Sequence, residues 1–300
     1  MTTTHTLADL EAAVAEGRPV TRDDAARIAQ CADLISVGIL GETARKAIRG
    51  DRVTFGRVLE IAGDSLPVDR GEAGEIRLTG RPESADAARA RVRQAHAWAG
   101  GVPLTGFSLG DLLELVGYDD MALADLSRAL AGDGLLAVAE APIDRIGELE
   151  QAAEVVRVVR HSGLQVWRAT IDRADFEQRP DLVWRAVEIQ RQTQAFKAFA
   201  PLPRRDPRAT PSTGYDDVRT VAIARVMCRE IPSIQVDWPL YGPKLAQVAI
   251  AYGADDIDGV AALADPAMGS RRAPREEIER HIRMAFAVPA ERDGRYELRS

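Results

Sequence analysis

Residues 233–259 read SIQVDWPLYGPKLAQVAIAYGADDIDG: a short β-rich run, a helical stretch, then a second short run carrying three aspartates and a glycine. Residues 233–236 fit a strand. In the following stretch Leu245, Val248 and Tyr252 recur at i, i+3 and i+7, the spacing of one helix face. Asp255, Asp256 and Asp258 before Gly259 mark a last short strand. Strand, helix and strand in this order join parallel neighbours through a crossover. The alternation repeats toward the N-terminus, with β-rich runs at 53–61, 75–79, 103–107, 135–139, 164–170 and 196–200. Helical stretches such as 85–99, 123–130, 146–161 and 183–194 separate them. These six and the run at 233–236 make seven around one core, even before the last short strand is added, and imply a TIM-like (β/α) barrel, complete or partial, with a doubly wound open sheet as the alternative.

The flanks complete the organisation. Residues 1–50 read as an N-terminal helical extension: Leu7, Leu10 and Val14 share a face, and Thr21 is placed to cap a second helix that opens with Asp23 and Asp24. Residues 51–262 form the barrel. Residues 263–300 hold a charged helix at 275–286 and a polar tail from 287, packed on the barrel. The stretch LPRRDPRATPSTGY at 202–215 is dense in Pro, Arg and Thr, which predicts a long loop at a strand end. With 300 residues, 46% of them hydrophobic, one large core is affordable.

Composition excludes several function classes. No apolar run reaches a membrane-spanning length, and the opening MTTTHTLADLEAAVAEG has no basic and apolar leader pattern, so a cytoplasmic protein is expected. Cys31 and Cys228 are the only cysteines, too few for a disulfide framework or a cysteine-rich metal site. A formal charge of -7 argues against nucleic acid or an anionic membrane as partner and leaves small molecules or proteins. Phosphate-loop, dinucleotide, zinc-protease and nucleophile-elbow signatures are all missing. His5, His96, His161 and His281 show no metal-ligand spacing.

The chemistry-bearing candidates are therefore few. Asp237 ends the IQVD strand, where barrels place catalytic groups, or else anchors a loop amide. Asp255, Asp256 and Asp258 are candidates for cation binding or base chemistry, against a capping role in a solvated turn. Arg204, Arg205 and Arg208 are placed to clamp a carboxylate or phosphate, or to decorate a solvated loop. Lys244 lies where Gly242 and Pro243 lead into a helix, facing either the site or water. Asp172, Asp175 and Glu177 follow the fifth run as ligands or as helix-start acids.

The segments FAPLP, TPSTGYDDVRTVAIARVM and IPSIQVDWPLYGPKLAQVAIAYGADDIDG, within residues 199–259, closely resemble the C-terminal barrel half of aminofutalosine synthase. That enzyme is a radical S-adenosylmethionine enzyme of the futalosine route to menaquinone, with relatives in deazaflavin and dehypoxanthine futalosine synthesis. GRPVTRDDAARIAQCADLISVGILGETARKAIRGDRVTFGRVLEI resembles the family's lead-in and first strand, and REEIERHIRMAFAVPAERDGRYE its C-terminal tail. The resemblance covers most of the chain and implies a barrel with its site at the mouth.

The departures fall in the cofactor half. Where the family carries CxxxCxxC, whose thiolates hold three irons of a [4Fe–4S] cluster, residues 61–70 read IAGDSLPVDR. The glycine-rich turn after the fourth strand has become AVAEAP, with Glu140. The fifth-strand loop is shortened, and the chain is shorter than the typical relative. The expectation is a cluster-less relative, without a cofactor or bound metal, that binds a pathway intermediate or a pathway enzyme. Arg57, Asp237, Lys244 and Asp256 are the expected pocket residues, with Arg204 as anion clamp. One alternative is a repurposed acid–base enzyme with Asp237 or Glu140 as base, acting on an enolpyruvyl or nucleoside-type anion. Another is a regulatory subunit of an active homologue. The exposed helices are compatible with a homodimer.

Overall fold

A computed structural model describes residues 7–204, 213–263 and 275–299. Three helices come first: α1 (Ala8–Ala15), α2 (Arg22–Gln30) and α3 (Leu34–Arg49). α2 starts as its sequence dictates, since the Thr21 hydroxyl accepts the Asp24 backbone N–H while the Asp24 carboxylate accepts that of Thr21. Then follow β1 (Arg52–Ala62), β2 (Glu75–Thr79), α4 (Ala85–Ala99), β3 (Leu104–Ser108), α5 (Leu109–Leu115), α6 (Asp120–Gly132), β4 (Ala137–Pro142) and α7 (Leu149–His161). The second half holds β5 (Arg168–Thr170), α8 (Arg179–Thr193), β6 (Ala198–Ala200), α9 (Gly214–Met227), β7 (Ser233–Asp237), α10 (Trp238–Ala251) and β8 (Asp256–Ala261). α11 (Arg275–Met284) and β9 (Val288–Arg292) end the chain.

Each strand from β1 to β8 pairs in parallel with the next, and β8 returns to β1 through Thr54↔Asp256 and Phe55↔Ile257, which closes an eight-stranded barrel. The open-sheet alternative is thereby set aside. The outer face of the strands is apolar: Val53, Phe55, Ile76, Leu78, Ile234, Val236 and Ile257 are buried in one core with the helices. Burial of each large aliphatic side chain there contributes roughly 1.5–3 kcal/mol. α3 packs along α9 and against the end of α10, where Gly41 allows the close approach, since a Cβ there would lie 2.2 Å from the carbonyl oxygen of Tyr252, which caps α10.

Two elements differ from expectation. β9 occupies part of the segment expected to be a polar tail: Arg52↔Val288 to Gly56↔Arg292 pair in parallel. Because Thr54 and Phe55 already pair with β8 on one edge, β9 takes the other, just below the stretch that pairs with β2. α5 directly follows β3 with no side-chain cap, which is why no start signal announces it. In α10 the sequence signal is accurate: the helix is kinked at Gly242, with φ 79°, and resumes at Pro243. No helix among the described residues is long and apolar enough to cross a membrane.

Candidate functional site

The inner face of the barrel is charged. Strand alternation sends Thr54, Glu75, Arg77, Thr105, Arg168, Gln235, Asp256 and Asp258 inward, all buried. Asp258 is the hub: Arg77 forks onto both its oxygens (2.9 and 3.1 Å), Arg292 donates to Oδ1 (3.0 Å), and Arg168 donates to Oδ2. Burial alone would raise its pKa, but the three guanidinium groups hold the carboxyl well below the usual carboxylate range. Arg292 also forks onto Asp256 with two bonds of 2.7 Å, and Asp256 receives Gln235 Nε2 and Thr54 Oγ1 as well. Glu75 accepts from Arg77 Nε (2.9 Å) and Thr105 Oγ1 (2.6 Å). Buried ions are tolerable only when paired and hydrogen-bonded in this way.

Arg292 reaches this network from β9 because Gly56 stands beside it. A Cβ on Gly56 would lie 2.7 Å from Arg292 Nη1. The Tyr296 ring then stacks on the Arg292 guanidinium, 4.3 Å from its centroid.

Above the network, at the C-terminal ends of β1 to β6, a cavity of about 1350 Å³ opens. This is the end at which parallel barrels carry function. Arg77 and Arg168 belong both to the network and to the cavity lining, so the ion ladder forms its floor. On one wall Arg204 bridges Glu140 (2.8 Å) and Asp237 (3.0 Å). Burial works against the Arg204 charge, but those two carboxylates raise its pKa. On another wall Arg145 is held by Asp111 (3.0 Å) and Glu114 from α5 and by Asp172 (3.5 Å). Asp144 accepts the backbone N–H groups of Asp172 and Arg173, each at 2.8 Å, and fixes the turn after β5.

The expected residues distribute unevenly around this cavity. Glu140 and Arg204 line it. Asp237 sits behind Arg204 with both oxygens engaged, one by Arg204 and one by the Leu240 N–H (2.8 Å) as the cap of α10. Asp172 and Glu177 line the cavity, whereas Asp175 caps a short turn through Gln178. Asp256 lies below the floor, saturated by Arg292, Gln235 and Thr54, because it begins β8 rather than ending it. Arg57 is spent on Glu291 (3.0 Å, forked) and Glu72, tying β9 to β1. Lys244 is exposed on α10. Asp255 faces outward onto Arg225 at 2.7 Å, and burial, against the pull of Arg225, pushes its pKa up to about 6. Arg205, Arg208 and His5 lie outside the described residues.

Sequence reasoning missed Arg77, Arg145, Arg168 and Arg185, all of which line the cavity. The signal was present for one of them, Arg77: the charges at 75 and 77 in EIRLT, like those at 256 and 258 in DIDG, are a period-2 pattern whose polar face points into a barrel.

A [4Fe–4S] cluster needs three thiolates in one place, and the residues present do not fit it. The connection from β1 to β2, residues 63–74, has no cysteine and no helix. Cys31 caps α2, and Cys228 caps α9 with its thiol pushed up to about 12 by burial. Among the described residues no group of three His, Cys, Asp or Glu side chains is arranged to hold a metal ion.

No protein-family model matches the chain. Among curated proteins it is 27% identical over 222 residues to aminodeoxyfutalosine synthase of Streptomyces coelicolor, covering 65% of this chain and 56% of that one. Aminodeoxyfutalosine synthase of Thermus thermophilus matches at 31% over 135 residues, covering 40% and 36%. A 5-amino-6-(D-ribitylamino)uracil–L-tyrosine 4-hydroxyphenyl transferase of Methanothermobacter thermautotrophicus matches at 39% over 124 residues, covering 36% and 34%. The chain thus spans from about a third to somewhat over half of the length of these relatives. Among solved structures, methylornithine synthase superposes with a TM-score of 0.65 at 12% identity, covering 94% of this chain and 97% of that one. The [FeFe]-hydrogenase maturase of Carboxydothermus hydrogenoformans superposes at 0.63 with 11% identity, covering 95% and 79%. These structural likenesses are likenesses of fold. By sequence, the chain is a relative of the aminofutalosine synthase-like proteins, in line with the resemblance of residues 199–259.

Proposed function

We propose that this chain is a cluster-less relative of the aminofutalosine synthase-like enzymes whose barrel mouth binds an anionic intermediate of the futalosine route to menaquinone without radical chemistry. The observation that carries the reading is a contrast within one barrel end. A cavity of about 1350 Å³ is walled by fixed charges, while the neighbouring β1–β2 connection offers no thiolate. The volume is ample for a small molecule. The arginine–carboxylate floor holds its charges in place before any ligand arrives, so little ordering is left to oppose binding.

The acid–base alternative has less support. Asp237 is engaged at both oxygens, and Glu140 is ion-paired to Arg204, so neither is presented as a free base. Docking of a pathway enzyme at this end is the remaining alternative.

A thermal-shift titration of the intact chain against S-adenosylmethionine, 3-[(1-carboxyvinyl)oxy]benzoate, aminofutalosine and dehypoxanthine futalosine tests the reading, because a ligand of the native state raises the midpoint by mass action. A saturable rise with a pathway intermediate and none with S-adenosylmethionine is expected. Anaerobic reconstitution that yields a [4Fe–4S] cluster and adenosylmethionine cleavage would overturn it, and a flat response to the whole panel would transfer the proposal to protein docking.

A further inference from the structure

The ion pairing around the cavity is complete except on one side. Fourteen buried side-chain nitrogen or oxygen atoms among the described residues have no hydrogen-bond partner, and five belong to residues lining the cavity: Ser108 Oγ, Arg145 Nη1, Arg185 Nε, Arg185 Nη2 and Arg204 Nη1. Four of the five are guanidinium N–H groups, which can only donate, and the serine hydroxyl can donate too. What these five atoms lack is an acceptor within reach. Buried donors left unmet cost about 1–3 kcal/mol each, so their concentration at one cavity calls for an explanation.

The arginines differ in how far their charge is answered. Arg145 has three carboxylates and Arg204 two. Among the described residues Arg185, on α8, has only Glu148 at ion-pair distance, 3.9 Å away, and that side chain is 99% exposed while the Arg185 side chain is 16% exposed. Two of its three nitrogens are without an acceptor. Burial lowers its pKa, only partly offset by Glu148 and Asp144. Asp144 also binds the backbone N–H of Arg173, another lining residue, which places Arg173 and Arg185 on the same side of the mouth. Among the described residues the Arg173 guanidinium has no carboxylate at ion-pair distance.

We propose that Arg185 is the oxyanion-binding residue of this cavity, taking a ligand carboxylate or phosphate on its Nε and Nη2 edge with Arg173 adding charge. Ligand binding then requires Arg185 to turn this buried edge toward the cavity about its last side-chain torsions, where the paired geometry of Nε and Nη2 matches two oxygens of one oxyanion. The inference rests on the reading of the mouth as a small-molecule site and names the group by which it holds its ligand. It also relocates the expected anion clamp, because Arg204 is already neutralised by Glu140 and Asp237.

The test uses the intact chain, with malonate as the carboxylate probe and inorganic phosphate as the phosphate probe, read by thermal shift. One of the two probes raises the wild-type midpoint saturably, and which one assigns the oxyanion. In Arg185→Gln the concentration needed for half the shift rises about 10–100-fold, the loss expected for a charge-assisted forked contact. Without any probe the Arg185→Gln midpoint stays at or above that of wild type, since a desolvated charge with no close counter-ion has been removed. Lys244→Gln, on the exposed face of α10, keeps the wild-type response. Equal responses of wild type and Arg185→Gln, to these probes or to a pathway intermediate, overturn this inference alone. A wild type that answers neither probe nor any pathway intermediate overturns the small-molecule reading and this inference together.

Discussion

Asp258 is fully buried and accepts from three guanidinium groups, so three buried positive charges depend on this one carboxylate. Its replacement by Asn leaves Arg77, Arg168 and Arg292 short of a counter-charge. Asp258→Asn is therefore expected to cost about 3–5 kcal/mol, read from urea unfolding. The pH dependence carries a sign. A carboxyl held low in the folded state contributes stability that is present above its unfolded pKa and lost as pH falls through the folded value. The wild-type lead over Asp258→Asn should thus be constant above about pH 4 and shrink in acid. Asp255 runs the other way: raised to about 6 from 3.8, it binds its proton more tightly when folded. The wild-type lead over Asp255→Asn should decline as pH rises from about 4 to about 6 and stay level above, and parallel pH profiles for the two variants would refute the contrast. At this scale the sequence marked Asp237 because it closes a strand, Arg204 because it opens an arginine-rich loop and Glu140 because it stands in an altered turn. Asp256, Arg57 and Lys244 lie outside the cavity lining, because the partners of the first two come from elements far away in the chain and Lys244 faces solvent.

Among the elements, β9 is the one with most to teach. Its sequence VPAER has no apolar alternation and, after Val288, no strong β-former, so little in it announces a strand. It is held from outside: backbone pairing with β1, the Arg57–Glu291 fork, and Arg292 reaching inward past Gly56. Gly56→Ala should consequently cost about 1–3 kcal/mol through the clash with the Arg292 guanidinium. In a double-mutant cycle with Arg292→Ala, urea unfolding should give a coupling of about 0.5–3 kcal/mol, because the added methyl group has nothing to strike once the guanidinium is gone. Strict additivity would mean that Gly56 serves some other purpose. β2 and β8 were readable for the opposite reason, since their alternation of apolar and charged residues is local and strict.

For the molecule as a whole, closure of the barrel and the helices before it form one packing problem. α3 lies along α9, α2 touches both α8 and α9, and Leu7, Leu10, Val14, Ile28, Val37 and Leu40 belong to the same core as the outer faces of the strands. Intact chain should accordingly unfold in a single calorimetric transition, and a fragment of residues 51–300 should lose that cooperativity, having bared the face of α9. Two resolved transitions would show the leading helices to be a separate unit. The barrel itself was legible from alternating element types alone, since period and order are properties of the chain. Its polar interior was harder to read, because what neutralises each inward charge is settled only when the strands close. That interior also governs how descendants of this chain can diverge. An aliphatic position on the outer face can drift one substitution at a time, with small losses absorbed by its neighbours. A charge at 77, 168, 256, 258 or 292 is inherited as part of a set, and a lineage that gives up one must give up or replace its counterpart in nearly the same generation. The inside of this barrel should therefore diverge in paired steps while its outside diverges singly.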